Sequence, residues 1–411
     1  MGIDKFKLFF NLLVFFLLTC LFFTGCKNSF KSMQTSKPES STERNQEASN
    51  LQKSGFESLH SKKYDEAIAK FSRAVSLNPN LYESYYGLGK AYFYQRKFVE
   101  SEDSYRKALG INPKHGASID GIGAIYHLSK KYDIAIGYFK KAIEADPTYG
   151  GAYDNMGFAY FYKQDYENSL KYFNKSIEID PEFADSYLGR GKVYVEIVKN
   201  DKAVMDFSRA LELKSSYYEA HRHRGLIYAD MLKYDDAIAD LDAYLAMVPE
   251  SPDIYYERGT LYYWKGDFEK ALSDLSISLE MGARAKNNSS DEIDITGDII
   301  IMQGLTLKKL GRKRESDSRL KEGIKLFEKE DSGESDYDKP GYAYIELGNP
   351  KKAIYYFNRE PVTSKHKYTG RAIAYMAVGN LTAAKQDLET AKKLLPESWE
   401  RSEALKLLKN L

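Results

Sequence analysis

Seven glycines, Gly55, Gly89, Gly123, Gly157, Gly191, Gly225 and Gly259, follow one another at intervals of 34 residues. Prolines keep the same interval at Pro79, Pro113, Pro147, Pro181 and Pro249, with Ser215 at the one missed position, and tyrosines keep it at Tyr92, Tyr126, Tyr160, Tyr194, Tyr228 and Tyr262. A period of this length means a short unit used again and again. Such a unit cannot bury its apolar face alone and becomes stable only when stacked on its neighbours.

The stretch from Gly151 to Pro181 gives the register. Tyr153, Met156, Gly157 and Tyr160 fall at i, i+3, i+4 and i+7, one stripe of an α-helix, and Tyr166, Ser169, Phe173 and Ser176 form a second stripe. Lys163-Gln164-Asp165 between them suits a short turn between antiparallel helices. A glycine inside a helix costs about 1 kcal/mol relative to alanine, so its regular return implies a packing gain. The gain expected here is close approach of the partner helix, opposite the small residue Ser169 and its counterparts Ala67, Ser101, Ala135, Ala203, Ala237 and Ala271. The phased prolines stand where each second helix must stop, because proline lacks the next backbone donor and pushes its predecessor out of the helical region.

The second unit, Tyr85, Leu88-Gly89, Tyr92, Phe98, Ser101, Tyr105, Ala108 and Pro113, resembles the tetratricopeptide repeat, as does the third, Ile119, Ile122-Gly123, Tyr126, Tyr132, Ala135, Phe139, Ala142 and Pro147. The resemblance implies an all-α fold, a right-handed superhelical solenoid of antiparallel helix pairs. It covers seven well-formed repeats over residues 48–282, a polar insertion at 283–296 and three degenerate repeats over 297–396. The degenerate repeats restart at Gly304, at Tyr344 and at Tyr368. Residues 397–411, with Trp399, Leu405, Leu408 and Leu411 near one stripe, read as a helix that caps the final repeat.

At the other end, Lys5 and Lys7 precede an apolar run from Leu8 to Phe23, closed by Thr24-Gly25-Cys26. That order is a secretory signal over residues 1–25. The boundary cysteine resembles a bacterial lipoprotein signal, which implies acylation of Cys26 and attachment to a membrane of the cell envelope. Residues 26–47 then form the lipidated cysteine and a flexible tether. The run approaches the ~20 apolar residues that cross a bilayer, so an uncleaved N-terminal transmembrane anchor stays open as the alternative.

Cys20 and Cys26 are the chain's two cysteines, so the repeats hold neither a disulfide nor a cysteine nucleophile. Without the signal's Lys5, Lys7 and Asp4, the 60 basic and 59 acidic residues become 58 of each, and no bulk charge draws nucleic acid. Of the six histidines only His221 and His223 are close, and their i, i+2 spacing on a helix is poor for a shared metal, so an ordinary surface role is expected for both. Asp235, Asp236 and Asp240 read as a solvated charged face. No catalytic constellation, metal site or cofactor site is expected.

Function is therefore expected on the concave surface, which the resemblance assigns to the first helix of each pair. Residues just off the core stripe there are Tyr86, Lys90 and Tyr94; Asp120 and His127; Asp154, Phe158 and Tyr162; Lys192; Arg222; and Tyr256, Tyr263 and Trp264. Aromatic area with a few orienting charges suits a peptide or protein partner, and packing between neighbouring first helices is the competing role for each residue. The carboxylate-clamp subclass of the family places Asn just after the repeat glycine, whereas this chain has Lys90, Ala124, Phe158, Lys192, Leu226 and Thr260 there. The expected function is a membrane-tethered, non-enzymatic interaction scaffold. An adaptor or regulatory subunit of a cell-envelope enzyme or of a secretion or assembly machine is the alternative.

Overall fold

The computed structural model describes residues 41–285, 296–330, 337–360, 365–395 and 399–410. The expected signal peptide, Cys26, the tether as far as residue 40 and residues 286–295 of the polar insertion lie outside them. The described residues form helices and connecting turns, without strands. The chain divides into two compact units, up to Asn155 and from Met156 onward.

In the first unit the helices pair as α1 (Ser41–His60) with α2 (Tyr64–Leu77), α3 (Tyr82–Tyr94) with α4 (Phe98–Ile111) and α5 (Gly116–Leu128) with α6 (Tyr132–Ala145). Helix α7 (Gly150–Tyr162) carries the boundary between the units. The second unit continues with α8 (Tyr166–Ile179), α9 (Ala184–Glu196) and α10 (Asn200–Leu213), then α11 (Tyr218–Asp230), α12 (Tyr234–Met247), α13 (Pro252–Lys265) and α14 (Phe268–Ala285). It ends with α15 (Thr296–Lys309), α16 (Lys313–Glu330), α17 (Asp338–Glu346), α18 (Pro350–Arg359), α19 (Lys367–Ala377), α20 (Leu381–Leu394) and the single helix α21 (Trp399–Lys409). Helix α1 begins seven residues before the expected start of the repeats. Residues 41–47 are thus helical rather than tether, as Glu43 in the first turn and a run without Gly or Pro before Gly55 favour.

Each second helix stops two residues before the phased proline: α2 at Leu77, α4 at Ile111, α6 at Ala145, α8 at Ile179 and α12 at Met247. The glycine has the expected use. At Gly157 a Cβ would sit 2.8 Å from the ring of Phe173, and at Gly189, on the next first helix, 2.4 Å from the same ring. Phe173 is completely buried between two side-chain-free patches. The small residue opposite the glycine adds a bond where it is serine. The Ser169 hydroxyl donates to the Gly157 carbonyl at 2.8 Å, and Ser101 and Ser316 do the same to Gly89 and Gly304.

The turns inside the pairs carry strain that the periodic pattern conceals. Lys62, Arg96, Lys130, Gln164, Val198 and Leu232 all adopt positive φ, between 55° and 60°, where later pairs use Gly266, Gly311, Gly348 and Gly379. A β-branched residue tolerates this region worst. Val198 is also 81% exposed, so no packing offsets its strain. Val198→Asn is expected to raise stability by about 0.5–1 kcal/mol in chemical denaturation, since asparagine adopts this conformation readily. A midpoint that stays put or falls would count against strain at this turn.

A second regularity is ionic. In the second unit Arg190, Arg224, Arg258 and Arg371 each donate two bonds, through Nε and Nη2, to the aspartate 16 residues later, Asp206, Asp240, Asp274 and Asp387, at 2.7–2.9 Å. The remaining Nη1 reaches the preceding pair, to Asn174, Ser208, Asp242 and Asn358. All four aspartates are buried. The expectation of a solvated face at Asp240 is therefore corrected: its carboxylate lies between helices, held by Arg224 and by the ring of His221, whose Nδ1 is 2.7 Å away. The surface role expected for His223 is corrected too. Its ring stacks on Phe207 at 5.4 Å, and burial, with Lys192 and Arg222 nearby, pushes its pKa down to about 4, so it packs as a neutral ring.

The last pairs fold against the middle of the second unit. The Trp264 ring stacks on His366 at 3.9 Å, and Lys365 Nζ donates to the Asp230 carbonyl at 2.7 Å. His366 Nδ1 lies 2.7 Å from Glu400, which is almost fully buried on α21. The Tyr342 hydroxyl sits 2.7 Å from both Glu400 Oε1 and the His366 carbonyl oxygen, and accepts from the Gly370 N–H at 3.1 Å. Helix α21 packs against α19 and α20 and also touches α13.

Candidate functional site

In the first unit the first helices α3 and α5 and the start of α7 line a hollow of about 220 Å³. The spacing of the stripe decides what faces it. Tyr86, Lys90 and Tyr94 are four residues apart on α3, Asp120 and Ala124 four apart on α5, and Tyr149 and Asn155 come from the turn and helix that follow. Gly121 has no side chain, and the buried ring of Tyr105, 2.5 Å from where a Cβ would sit, takes that space and lines the cavity beside it.

One wall is aromatic and fixed. Tyr86 packs 6.0 Å from Tyr105 and 5.0 Å, edge-on, from the ring of His115, and burial pushes its pKa up to about 12. The Lys90 ammonium lies 5.7 Å from the Tyr86 ring centroid. Burial lowers the Lys90 pKa, opposed by the charge of Asp120. Among the described residues no carboxylate or other acceptor comes within bonding distance of that ammonium. Asp120 is in the opposite condition. It is 5% exposed, and both its oxygens accept from Asn155 Nδ2 at 3.0 Å while the Tyr149 hydroxyl donates to Oδ2 at 3.4 Å. Burial raises its pKa to about 6, against the opposing effects of those two bonds and of Lys90.

The other expected site residues are not equivalent to these. His127 turns toward the second helix of its own pair, with its ring 5.4 Å from Tyr132, and Asp154 is buried. In the second unit Phe158 meets Phe173 edge-on at 5.0 Å and belongs to the packing between helices, while Tyr162 is half exposed. Lys192 pairs with Glu219 at 2.7 Å, and Arg222 reaches Asp253 at 3.2 Å and Glu257 at 3.6 Å. Tyr256 lies under Lys339, 5.8 Å from its ring. Tyr263 and Trp264 are 1% and 5% exposed, covered by residues of the C-terminal pairs, and so are core rather than an open wall.

The structure therefore brings Tyr86, Lys90, Tyr94 and Asp120 together and adds Tyr149 and Asn155, which the sequence reading passed over. A signal for Tyr149 exists: large residues recur just before successive first helices at Leu81, His115, Tyr149, Phe183 and Tyr217. Asn155 occupies a position that is glycine in three neighbouring repeats, Gly87, Gly121 and Gly189, and its departure from them is the signal there.

Stacked helix hairpins with a hollow lined by their first helices define an all-α repeat protein, a class whose members mediate protein–protein interactions. Segments of the chain match tetratricopeptide repeats: profiles described as TPR repeat or tetratricopeptide repeat match residues 60–95 and 157–197, 82–115, 120–149 and 222–285. No curated protein matches the chain. Solved structures similar to it include Pseudomonas aeruginosa pilF, at 15% identity over 51% of this chain and 95% of that one, with a TM-score of 0.44. PilW, a type IV pilus biogenesis factor, matches at 19% over 50% and 96%, with a TM-score of 0.44. YrrB, a TPR protein with an unusual peptide-binding site, matches at 24% over 45% and 99%, with a TM-score of 0.38.

Proposed function

We propose that this chain is a non-enzymatic scaffold, tethered to an envelope membrane by lipid on Cys26, that binds a peptide segment of a partner protein in the hollow between α3 and α5. The observation that carries the reading is the contrast between the two units. In the first, an aromatic wall and a lysine without an acceptor face open space. In the second, Lys192 and Arg222 already have acidic partners and Tyr263 and Trp264 are buried. An aromatic wall supplies contact area at low entropic cost, and a few polar groups fix orientation.

A photo-reactive benzoylphenylalanine in place of Tyr94, which is 52% exposed at the hollow, tests this against the same group in place of Val99, 81% exposed on α4. Cross-linking of a discrete partner from position 94 and none from position 99 is the expected result in cells that make the protein. Equal labelling from both positions, or none from position 94, would remove the hollow as the binding site. Mass spectrometry of the mature N-terminus tests the anchor separately: a diacylglycerol-modified Cys26 as first residue is expected, and an unprocessed Met1 would replace lipid by a membrane-spanning segment.

A further inference from the structure

We infer that the partner segment places an acidic side chain, aspartate or glutamate, in the hollow, where its carboxylate pairs with the Lys90 ammonium. The inference rests on reading the hollow as the binding site and specifies the chemistry of what enters it.

The two charges of the hollow are unequally satisfied. Lys90 is partly withdrawn from water on α3; it lies 5.7 Å from the ring centroid of Tyr86 and feels the charge of Asp120 at longer range, but among the described residues it bonds to no acceptor. Asp120 shares the hollow but is spoken for by Asn155 and Tyr149, so a cationic ligand would have to displace bonds already made to reach it. An incoming carboxylate displaces nothing. It gives Lys90 a charge-assisted bond in a place where water screens it poorly, and such bonds are roughly twice as strong as neutral ones. Tyr86, Phe93 and Ala124, which also line the hollow, offer apolar surface to the stem of the same side chain. A volume of about 220 Å³ holds a side chain rather than a folded element. The chain's own residues 27–40 are a poor occupant on charge, with Lys27, Lys31 and Lys37 against Glu39.

Selection of random dodecapeptides, displayed on phage with no free C-terminus, against the purified full chain tests the inference. The wild-type pool is expected to be rich in Asp and Glu. The best peptide should lose affinity about tenfold on Lys90→Met, and by a similar factor when its acidic residue is exchanged for the matching amide, a change that leaves the protein untouched. Lys90→Glu should turn the selected pool toward Lys and Arg. Peptides that need Tyr94, lost on Tyr94→Ala, but show no acidic enrichment and keep their affinity within twofold on Lys90→Met, overturn the acidic partner and leave the hollow standing. Peptides indifferent to both Tyr94→Ala and Lys90→Met, or no selectable peptide at all, overturn the hollow itself and this inference with it.

Discussion

Phe173→Ala is expected to destabilise the surrounding repeats by about 3–5 kcal/mol, the range for removing a fully buried phenylalanine. The upper part of that range applies because the cavity has nothing to fill it. The ring lies between Gly157 and Gly189, neither of which has a side chain to move inward, and Phe158 meets it only edge-on at 5.0 Å. Repeat arrays lose structure locally, so amide hydrogen exchange across residues 156–196 measures the loss better than one global melt. A change below about 1 kcal/mol would mean that the register of these helices is wrong.

Asp240→Ala is expected to cost a similar amount, about 3–5 kcal/mol, because it strands a charge rather than because the ion pair is strongly favourable. The substitution leaves the guanidinium of Arg224 between helices with only the Ser208 hydroxyl, and removes the partner of His221. The chain carries an apolar alternative at the same two positions of other repeats: Ile122 with Tyr138, and Met156 with Tyr172. The double substitution Arg224→Met and Asp240→Tyr is therefore expected to fall within about 1 kcal/mol of the wild type, as replacements of buried ion pairs by packed apolar groups commonly do. Urea denaturation of the single and double variants decides the matter. A double variant as unstable as the single one would show that the pair itself, not the stranded charge, holds the helices.

Gly157, Phe173 and Pro181 made the fold legible in the sequence because each answers a local demand that recurs with every pair: close approach, a ring to fill the gap, a stop. The ionic series was written at the same interval, Arg190, Arg224 and Arg258 with Asp206, Asp240 and Asp274, yet charge on a helix reads as solvated until the neighbouring helix is in place. The hollow was half legible. Tyr86, Lys90, Tyr94 and Asp120 follow from the stripe, whereas Asn155 is 35 residues from the carboxylate it holds and no local pattern links the two. Trp264 was misplaced for the same reason, since its cover, His366, comes from three pairs further along the chain.

That cover has a kinetic consequence. In an open stack every contact joins neighbours, free energies add unit by unit, and folding can start anywhere and spread. The meeting of Tyr234 with His366 spans 132 residues and breaks the rule. Closing so long a loop is entropically unfavourable until the intervening helices are formed, so the docking of α19 and α21 belongs at the end of folding and slows it. Removal of α21 should then loosen not one terminal interface but the whole circuit back to α13, a cooperativity that linear arrays of hairpins lack.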